Sequence, residues 1–284
     1  TQPPARRTLP FVPAAPERGR AGVPAFTLSF RRWEQLTPDC LDQGPALVYL
    51  PCQELPGHED ALRRWAQAYP DIGVGVVLPR VVWDRELPRL RRELEAARQA
   101  GVTQALLGHI GQLPLARSFG LIPRGDFGLG LTNDETAAEL ARLGFASATA
   151  SFESRLAQIR DLSKPLDLEL LVYGRLPLML MEHCILRNRG QGCHCQDKPQ
   201  SLGDRKGEHF PVESAWGCRN ELFNAKPLWL ADKTDWRTAG AAYARLAFLR
   251  EGPGECARVF RAYREGAGEP PRAFTRGLYY RGVE

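Results

Sequence analysis

Short apolar runs alternate with amphipathic segments along most of the chain, and this alternation indicates a series of strand–helix units. Within residues 86–100, Leu87, Leu90, Leu94 and Ala97 recur at spacings of three and four, which predicts a helix with one buried face. Eight apolar runs are predicted to be strands: 26–30, 46–50, 73–78, 104–107, 127–131, 146–150, 168–173 and 243–249.

A second helix is predicted over residues 134–143. Asn133 stands where a capping residue is expected, and Asp134 and Glu135 place negative charge at the positive end of the helix dipole. Gly144 is predicted to end the helix, because glycine readily adopts the left-handed conformation found after a helix C-terminus.

Several predicted strands, such as 74–78 and 170–173, are almost wholly apolar. Strands that are buried on both faces in a parallel sheet have this character. No glycine-rich phosphate loop follows the first strand, which disfavours an open doubly wound sheet. The predicted fold class is therefore α/β: a (β/α)8 TIM-like barrel with an irregular cysteine-bearing insertion after strand 7.

Two stretches depart from the strand–helix rhythm. Residues 1–23 are rich in proline, alanine and arginine and are predicted to be a disordered linker, followed by a barrel domain over 24–284. Residues 175–235 contain no long helical pattern and are predicted to be an insertion. Within them, residues 204–207 are expected to form a hairpin turn.

Composition and charge restrict the function only weakly. The net charge of +5 is spread along the chain, and scattered charge does not by itself indicate nucleic-acid binding. The apolar runs are too short to form a membrane span, and the first residues lack the apolar core of a signal peptide. A cytoplasmic protein without a membrane span is therefore predicted.

Four of the seven cysteines lie close together inside the predicted insertion. Cys184, Cys193, Cys195 and Cys218 have mostly polar neighbours and glycines, unlike the cysteines of an apolar core. Thiolates are ligands of both zinc and iron–sulfur clusters, and binding such a centre helps to order an irregular segment. These four cysteines are therefore predicted to hold a metal centre, either an iron–sulfur cluster or zinc.

The exact ligand set has alternatives. One residue separates Cys193 from Cys195, so one of the two can be a bystander while another cysteine completes the set. Zinc sites usually contain Cys-x2-Cys pairs, which this segment lacks. The alternative cysteine ligands are Cys52 and Cys256, and the additional candidate ligands for zinc are His183 and His194.

Several motifs resemble peptidase family U32, the collagenase-like proteins. The resemblance covers residues 26–284 and is most specific between 170 and 224. The segments that carry it are 170–179, 182–184, 202–212, 218–220, 224–228 and 274–283, with 128–133 and 148–153 upstream.

This resemblance implies a barrel that binds an iron–sulfur cluster of the [4Fe–4S] type. Some family members hydroxylate tRNA or ribosomal RNA bases, and others support oxygen-independent hydroxylation of ubiquinone. The implied function is therefore hydroxylation of RNA or of a small aromatic acceptor. A metal-dependent collagenase-like peptidase is one alternative. A non-catalytic, cluster-stabilised scaffold is another; its partner would be the upstream barrel that longer relatives carry in the same chain.

One departure from the family pattern concerns the ligands. The first-barrel motif of the family has a cysteine shortly after the glycine of strand seven, whereas this chain has Arg175, Leu176 and Pro177 there. Cys184 still matches the motif.

Candidate functional side chains are predicted at strand ends, because the loops after barrel strands form the functional face. Glu182 and His183 are predicted to transfer protons or, alternatively, to hydrogen-bond to thiolate sulfurs. Asn133, Glu153 and Arg175 are predicted to bind substrate, with Arg175 holding an anionic group such as a carboxylate or phosphate.

Each of these assignments has a structural alternative. A helix cap explains Asn133 equally well, Arg175 can pair with a neighbouring acid, and His109 after the fourth strand is more typical of a structural histidine. Neither Gly-x-Ser-x-Gly nor His-Glu-x-x-His is present, so the peptidase hypothesis depends on the family resemblance alone.

Overall fold

The computed structural model describes residues 22–185, 187 and 199–282. Eight parallel strands form a closed barrel, in which the last strand pairs with both the first and the seventh. The predicted (β/α) barrel is thereby confirmed. In chain-order numbering, its strands are β1 (Ala25–Phe30), β2 (Leu47–Pro51), β3 (Gly73–Val77), β4 (Gln104–Leu107), β5 (Ile122–Gly125), β6 (Ser147–Thr149), β7 (Asp167–Gly174) and β13 (Tyr243–Phe248).

An α-helix follows every barrel strand except β7. Helix α3 buries Leu90, Leu94 and Ala97 against the barrel, as their spacing predicts. The helices are α1 (Pro38–Leu41), α2 (Glu59–Ala68), α3 (Leu87–Gln99), α4 (Leu113–Ser118), α5 (Asp134–Arg142), α6 (Leu156–Asp161) and α7 (Pro253–Glu265).

The prediction of strand five over residues 127–131 is wrong. The strand is β5, and most of the predicted segment forms one turn of 3-10 helix. β5 contains a proline and Arg124, which break the apolar pattern that marks the other strands. Arg124 nevertheless lies inside the barrel, where its Nη1 donates a hydrogen bond of 2.8 Å to Ser147 Oγ. A charged side chain with a buried partner thus hides the strand from the sequence pattern.

A second sheet takes the place of a helix after β7. Its four antiparallel strands lie in the order β8–β11–β10–β9, so the insertion is more regular than the sequence predicts. A short strand, β12 (Leu228–Trp229), then runs antiparallel to the end of β7. The four strands of this insertion sheet are β8 (Pro177–Met181), β9 (Gln200–Gly203), β10 (His209–Ala215) and β11 (Arg219–Phe223).

The predicted hairpin turn connects β9 to β10. Asp204 Oδ1 accepts hydrogen bonds from the backbone N–H groups of Lys206, at 2.8 Å, and Glu208, at 2.9 Å. Leu202 pairs with Phe210 across the hairpin, as expected.

The predicted linker over 1–23 lies almost wholly outside the described residues and stays a prediction. In the part of the chain that the structure describes, no helix has both the length and the apolarity to cross a membrane.

Candidate functional site

A pocket of about 170 Å³ lies at the carboxyl ends of the barrel strands, beneath the insertion sheet. We call it the barrel pocket. Phe30, Leu106 and Phe248 line it from the barrel, and Trp216 and Phe223 line it from the insertion. Barrel enzymes bind their substrates at this end. The charged residues of the lining are Arg31, Arg80, Asp126, Arg175, Arg219, Glu221 and Arg245.

A buried charge network forms the floor of the barrel pocket. Arg245 of β13 donates through Nη1 to Asp126 Oδ1, at 2.9 Å, and through Nη2 to Glu169 Oε2, at 2.7 Å. Thr27 and Thr149 also donate to Glu169, whose side chain is fully buried. Because burial of a lone charge is costly, each member of this network needs the others.

Two arginines share a single carboxylate at the side of the pocket, and a third arginine lines the pocket without an ion pair among the described residues. Glu221 of β11 accepts from Arg31 Nη1 at 2.9 Å and lies 3.5 Å from Arg80 Nη1.

Arg175 donates only to the backbone carbonyls of Asn224 and Ala225, and no carboxylate lies within ion-pair distance of it among the described residues. Burial lowers the pKa of Arg175, while the charge of the nearby Glu251 opposes this shift. The side chain stays protonated, because arginine does not lose its proton in proteins. Arg175 thus lines the barrel pocket as a positively charged group without an ion pair among the described residues.

A second, open cleft of about 570 Å³ adjoins the barrel pocket, and Cys184 and Cys218 both line it. We call it the cysteine cleft. It shares Arg31, Trp216 and Arg219 with the lining of the barrel pocket. Neither cysteine forms a disulfide; Cys184 is half-buried and Cys218 is exposed. Two thiols from separate strand ends thus reach one cavity beside the pocket.

Cys218 lies between two firmly anchored residues. Trp216 Nε1 donates to Glu93 Oε2 of α3 at 2.8 Å, which fixes the insertion to the barrel. Arg219 is almost fully buried and donates to Glu86 and Glu182. Cys218 itself has a φ of 60°, the one positive φ of a non-glycine residue in the described part of the chain. Backbone in this region is strained and tends to occur at functional positions.

The segment that carries Cys184 is tied to the same strand as Cys218. The backbone N–H of Ile185 donates to Asn220 Oδ1 of β11 at 2.8 Å, and that of Arg187 donates to Cys184 Sγ at 3.4 Å. Cys193, Cys195 and His194 lie outside the described residues. Within the described part, no three cysteine, histidine or acidic side chains form a metal-binding group. The predicted four-cysteine centre is therefore half described, and it stays a prediction.

The described cysteines outside this cleft belong to the core. Cys40, Cys52 and Cys256 are fully buried and line neither cavity. Burial raises the pKa of Cys52, with a further contribution from Glu93, and burial also raises the pKa of Cys256. Metal ligation requires the thiolate form, so these surroundings do not favour Cys52 or Cys256 as the alternative ligand.

Glu182 is held in an ion pair rather than free for proton transfer. Its Oε2 lies 2.7 Å from Arg219 Nε, and its Oε1 accepts from Trp83 Nε1 at 2.9 Å. The hydrogen bond from Arg219 holds the pKa of Glu182 below its usual value. An ionised carboxylate with these partners suits the positioning of Arg219 better than it suits the donation of a proton. His183, beside it, is exposed.

Three other candidate residues lie outside both cavities. Asn133 Oδ1 caps α5 by accepting from the Thr136 backbone N–H at 2.9 Å, and His109 Nδ1 accepts from the Gly111 N–H at 3.0 Å. Glu153 is exposed after β6, and none of the three lines the barrel pocket or the cysteine cleft. The structural alternatives account for Asn133 and His109.

Most of the charged residues that line the barrel pocket are not among the residues predicted from the sequence. Arg31 and Arg80 each follow a predicted barrel strand within two residues, which is the signal that could have identified them. Asp126 follows β5, which was predicted at the wrong position, so the same signal could not identify it. Glu221 could not be identified in this way, because the insertion sheet that carries it was not predicted beyond one hairpin.

No protein-family model matches the chain, and no curated protein matches it. Among solved structures, the U32 peptidase Mk0906 is 14% identical, with a TM-score of 0.48, over 84% of this chain and 98% of that one. A mutant tryptophan synthase α-subunit from Pyrococcus furiosus is 9% identical, with a TM-score of 0.48, over 86% of this chain and 99% of that one.

A mutant class V chitinase from the plant Cycas revoluta, in complex with (GlcNAc)3, is also similar. It is 9% identical, with a TM-score of 0.41, over 85% of this chain and 99% of that one. The barrel assignment of this chain rests on its own strand pairing.

Proposed function

We propose that this chain is a barrel enzyme that binds a [4Fe–4S] cluster and takes part in the hydroxylation of an RNA base or of a small aromatic acceptor. The proposed ligands are Cys184 and Cys218 together with Cys193 and Cys195. The proposed partner is an upstream barrel of the same longer protein. The observation that carries the proposal is that Cys184 and Cys218 share one open cleft beside an arginine-lined pocket.

The donor chemistry of the cysteine cleft fits a cluster. The two described cysteines are accessible and unpaired, whereas the other described cysteines are buried in the core. Cys218 is presented by a strained backbone between anchored residues, so its position is fixed before any metal binds. A bound cluster supplies one-electron redox chemistry.

Residues beside the cysteines are proposed to bind the acceptor, to position the wall between the two cavities and to carry a proton. Arg175, which lines the pocket together with Arg31 and Arg80, binds an anionic group of the acceptor, and the aromatic side chains of the lining pack against the acceptor ring and exclude water. Glu182 holds Arg219 in the wall that separates the two cavities, which makes it a positioning residue. His183, which is exposed next to Cys184 in the chain, is the proposed proton carrier.

A peptidase with a serine nucleophile finds little support, whereas the metal-dependent peptidase stays an alternative. In the described ranges, a serine–histidine contact joins Ser201 Oγ to His209 Nδ1, at 3.4 Å on the exposed β9–β10 hairpin. Neither residue lines the barrel pocket or the cysteine cleft. A nucleophile needs a closer base and a substrate site beside it.

A comparison of cells of the source organism with and without this protein tests the proposed function. Mass spectrometry of RNA nucleosides and of small aromatic metabolites is expected to show one species that lacks a single oxygen atom in the deletion strain. The wild-type protein should restore that species and Cys218→Ser should not. Cys256→Ala, at a buried cysteine outside the cleft, is the matched control and should restore it. Identical RNA and metabolite profiles in the two strains would contradict the proposal.

A further inference from the structure

Arg175 is a cation with unused hydrogen-bonding capacity. Its Nη1 donates to two carbonyl oxygens of the insertion, and its Nε and Nη2 donate to no group in the described residues. An arginine offers five N–H donors in a planar fork that matches a carboxylate. The side chain lines the barrel pocket and is half-buried, so the unused donors belong to a partly desolvated charge.

The neighbouring charges leave this side of the pocket positive. Arg31 and Arg80 share Glu221, and the distance of 3.5 Å from Arg80 Nη1 to that carboxylate is long for a charged hydrogen bond. Arg80 also lies over the Phe127 ring, with its Cζ 5.1 Å from the ring centroid. Arg31 and Arg80 thus have one carboxylate between them, and Arg175 has no ion pair among the described residues, so the lining favours an anionic ligand.

The floor of the pocket offers the opposite chemistry. Asp126 is buried, and both of its described hydrogen bonds, from Phe127 N–H and Arg245 Nη1, end on Oδ1. Its Oδ2 accepts no hydrogen bond within the described residues. An ionised carboxylate oxygen that faces a pocket accepts a hydrogen bond from a ligand O–H or N–H group.

The size and walls of the pocket limit the ligand further. A cavity of about 150 Å³ lined by apolar side chains holds one benzene molecule. The barrel pocket, at about 170 Å³, therefore has room for about one substituted six-membered ring. Phe30, Phe127, Phe223 and Phe248 line it, and aromatic side chains of this kind pack well against a ring.

We propose that the barrel pocket binds a single-ring aromatic acid that also carries a hydroxyl group on the ring. The carboxylate pairs with Arg175, supported by Arg80, and the hydroxyl donates to Asp126 Oδ2. This inference rests on the proposed function. Of the two acceptors proposed there, it assigns the small aromatic one to this pocket and not an RNA base.

Calorimetric titration of the full chain with three probes tests the inference. We expect 4-hydroxybenzoate to bind best, benzoate to bind more weakly because it has no hydroxyl donor, and 4-hydroxybenzyl alcohol to bind about 10–100-fold more weakly because it has no charge for Arg175. Arg175→Gln should remove the advantage of the acid over the alcohol. Arg258→Gln, at an exposed arginine on α7, is the matched control and should leave all three affinities unchanged.

Several outcomes would overturn the inference. Equal affinities of the acid and the alcohol for the wild-type chain would do so without any variant. Tight binding of single-stranded RNA that 4-hydroxybenzoate does not displace would assign the site to RNA instead. The titrations are run on both metal-free and metal-loaded chain, so the proposed function and this inference fail separately. If a chain that takes up no iron still binds the acid selectively, the proposed function is contradicted and the inference about the ligand stands.

Discussion

Replacement of Arg245 by methionine is expected to lower the free energy of unfolding by about 3–5 kcal/mol. Arg245 is almost fully buried and neutralises both Asp126 and Glu169, so its loss leaves two buried carboxylates without a cation. Methionine fills a similar volume, which limits the contribution of a cavity to the effect. Urea unfolding followed by circular dichroism measures the change.

Two further variants separate loss of charge balance from loss of volume. Arg258→Met alters an exposed arginine of α7 and should change stability by less than about 0.5 kcal/mol. Glu169→Gln added to Arg245→Met removes one of the uncompensated charges and should recover part of the lost stability. If Arg245→Met alone unfolds at the same urea concentration as the wild type, the floor of the pocket is not the interdependent ion network described above.

Replacement of Gly174 by alanine is expected to destabilise the chain by about 2–5 kcal/mol and to displace Arg175. Gly174 ends β7 with a φ of +120°, a conformation that residues with a β-carbon rarely adopt. A β-carbon there would overlap the backbone carbonyl oxygen of Ala247, and backbone cannot move aside as a flexible side chain can. Thermal unfolding measures the stability, and the titration with 4-hydroxybenzoate measures the displacement.

Gly252→Ala provides the matched control for this prediction. Gly252 has a φ of −71°, and a β-carbon there would meet no atom within 4 Å. We expect its stability to stay within about 1 kcal/mol of the wild type. If Gly174→Ala proves as stable as Gly252→Ala, that result would contradict the close approach of Gly174 in β7 to Ala247 in β13.

The barrel could be predicted because most of its strands are short, apolar runs between helical segments. β5 could not, since its interior arginine and proline resemble a loop when only polarity is considered. Glu169 and Arg245 lie inside strands that were predicted, yet their pairing spans 76 residues of chain and depends on barrel closure. A single sequence gives no register for such a pair.

The candidate site was predictable to a smaller degree, because position at a strand end does not determine where a side chain points. Arg175 lines the barrel pocket, whereas Asn133 turns back to cap α5 and Glu153 is exposed. The prediction of Glu182 as a catalytic residue depends on its position two residues before Cys184, but its partners Arg219 and Trp83 come from distant segments. Those partners decide its role, and only the fold brings them together.

Iron and acid-labile sulfide in the anaerobically purified chain test the central claim most directly. We predict about four irons and four sulfides per chain, lost in both Cys184→Ser and Cys218→Ser and retained in Cys256→Ala. One zinc without sulfide, no metal at all, or a cluster that survives Cys218→Ser would contradict the claim that Cys184 and Cys218 hold an iron–sulfur centre beside the barrel pocket.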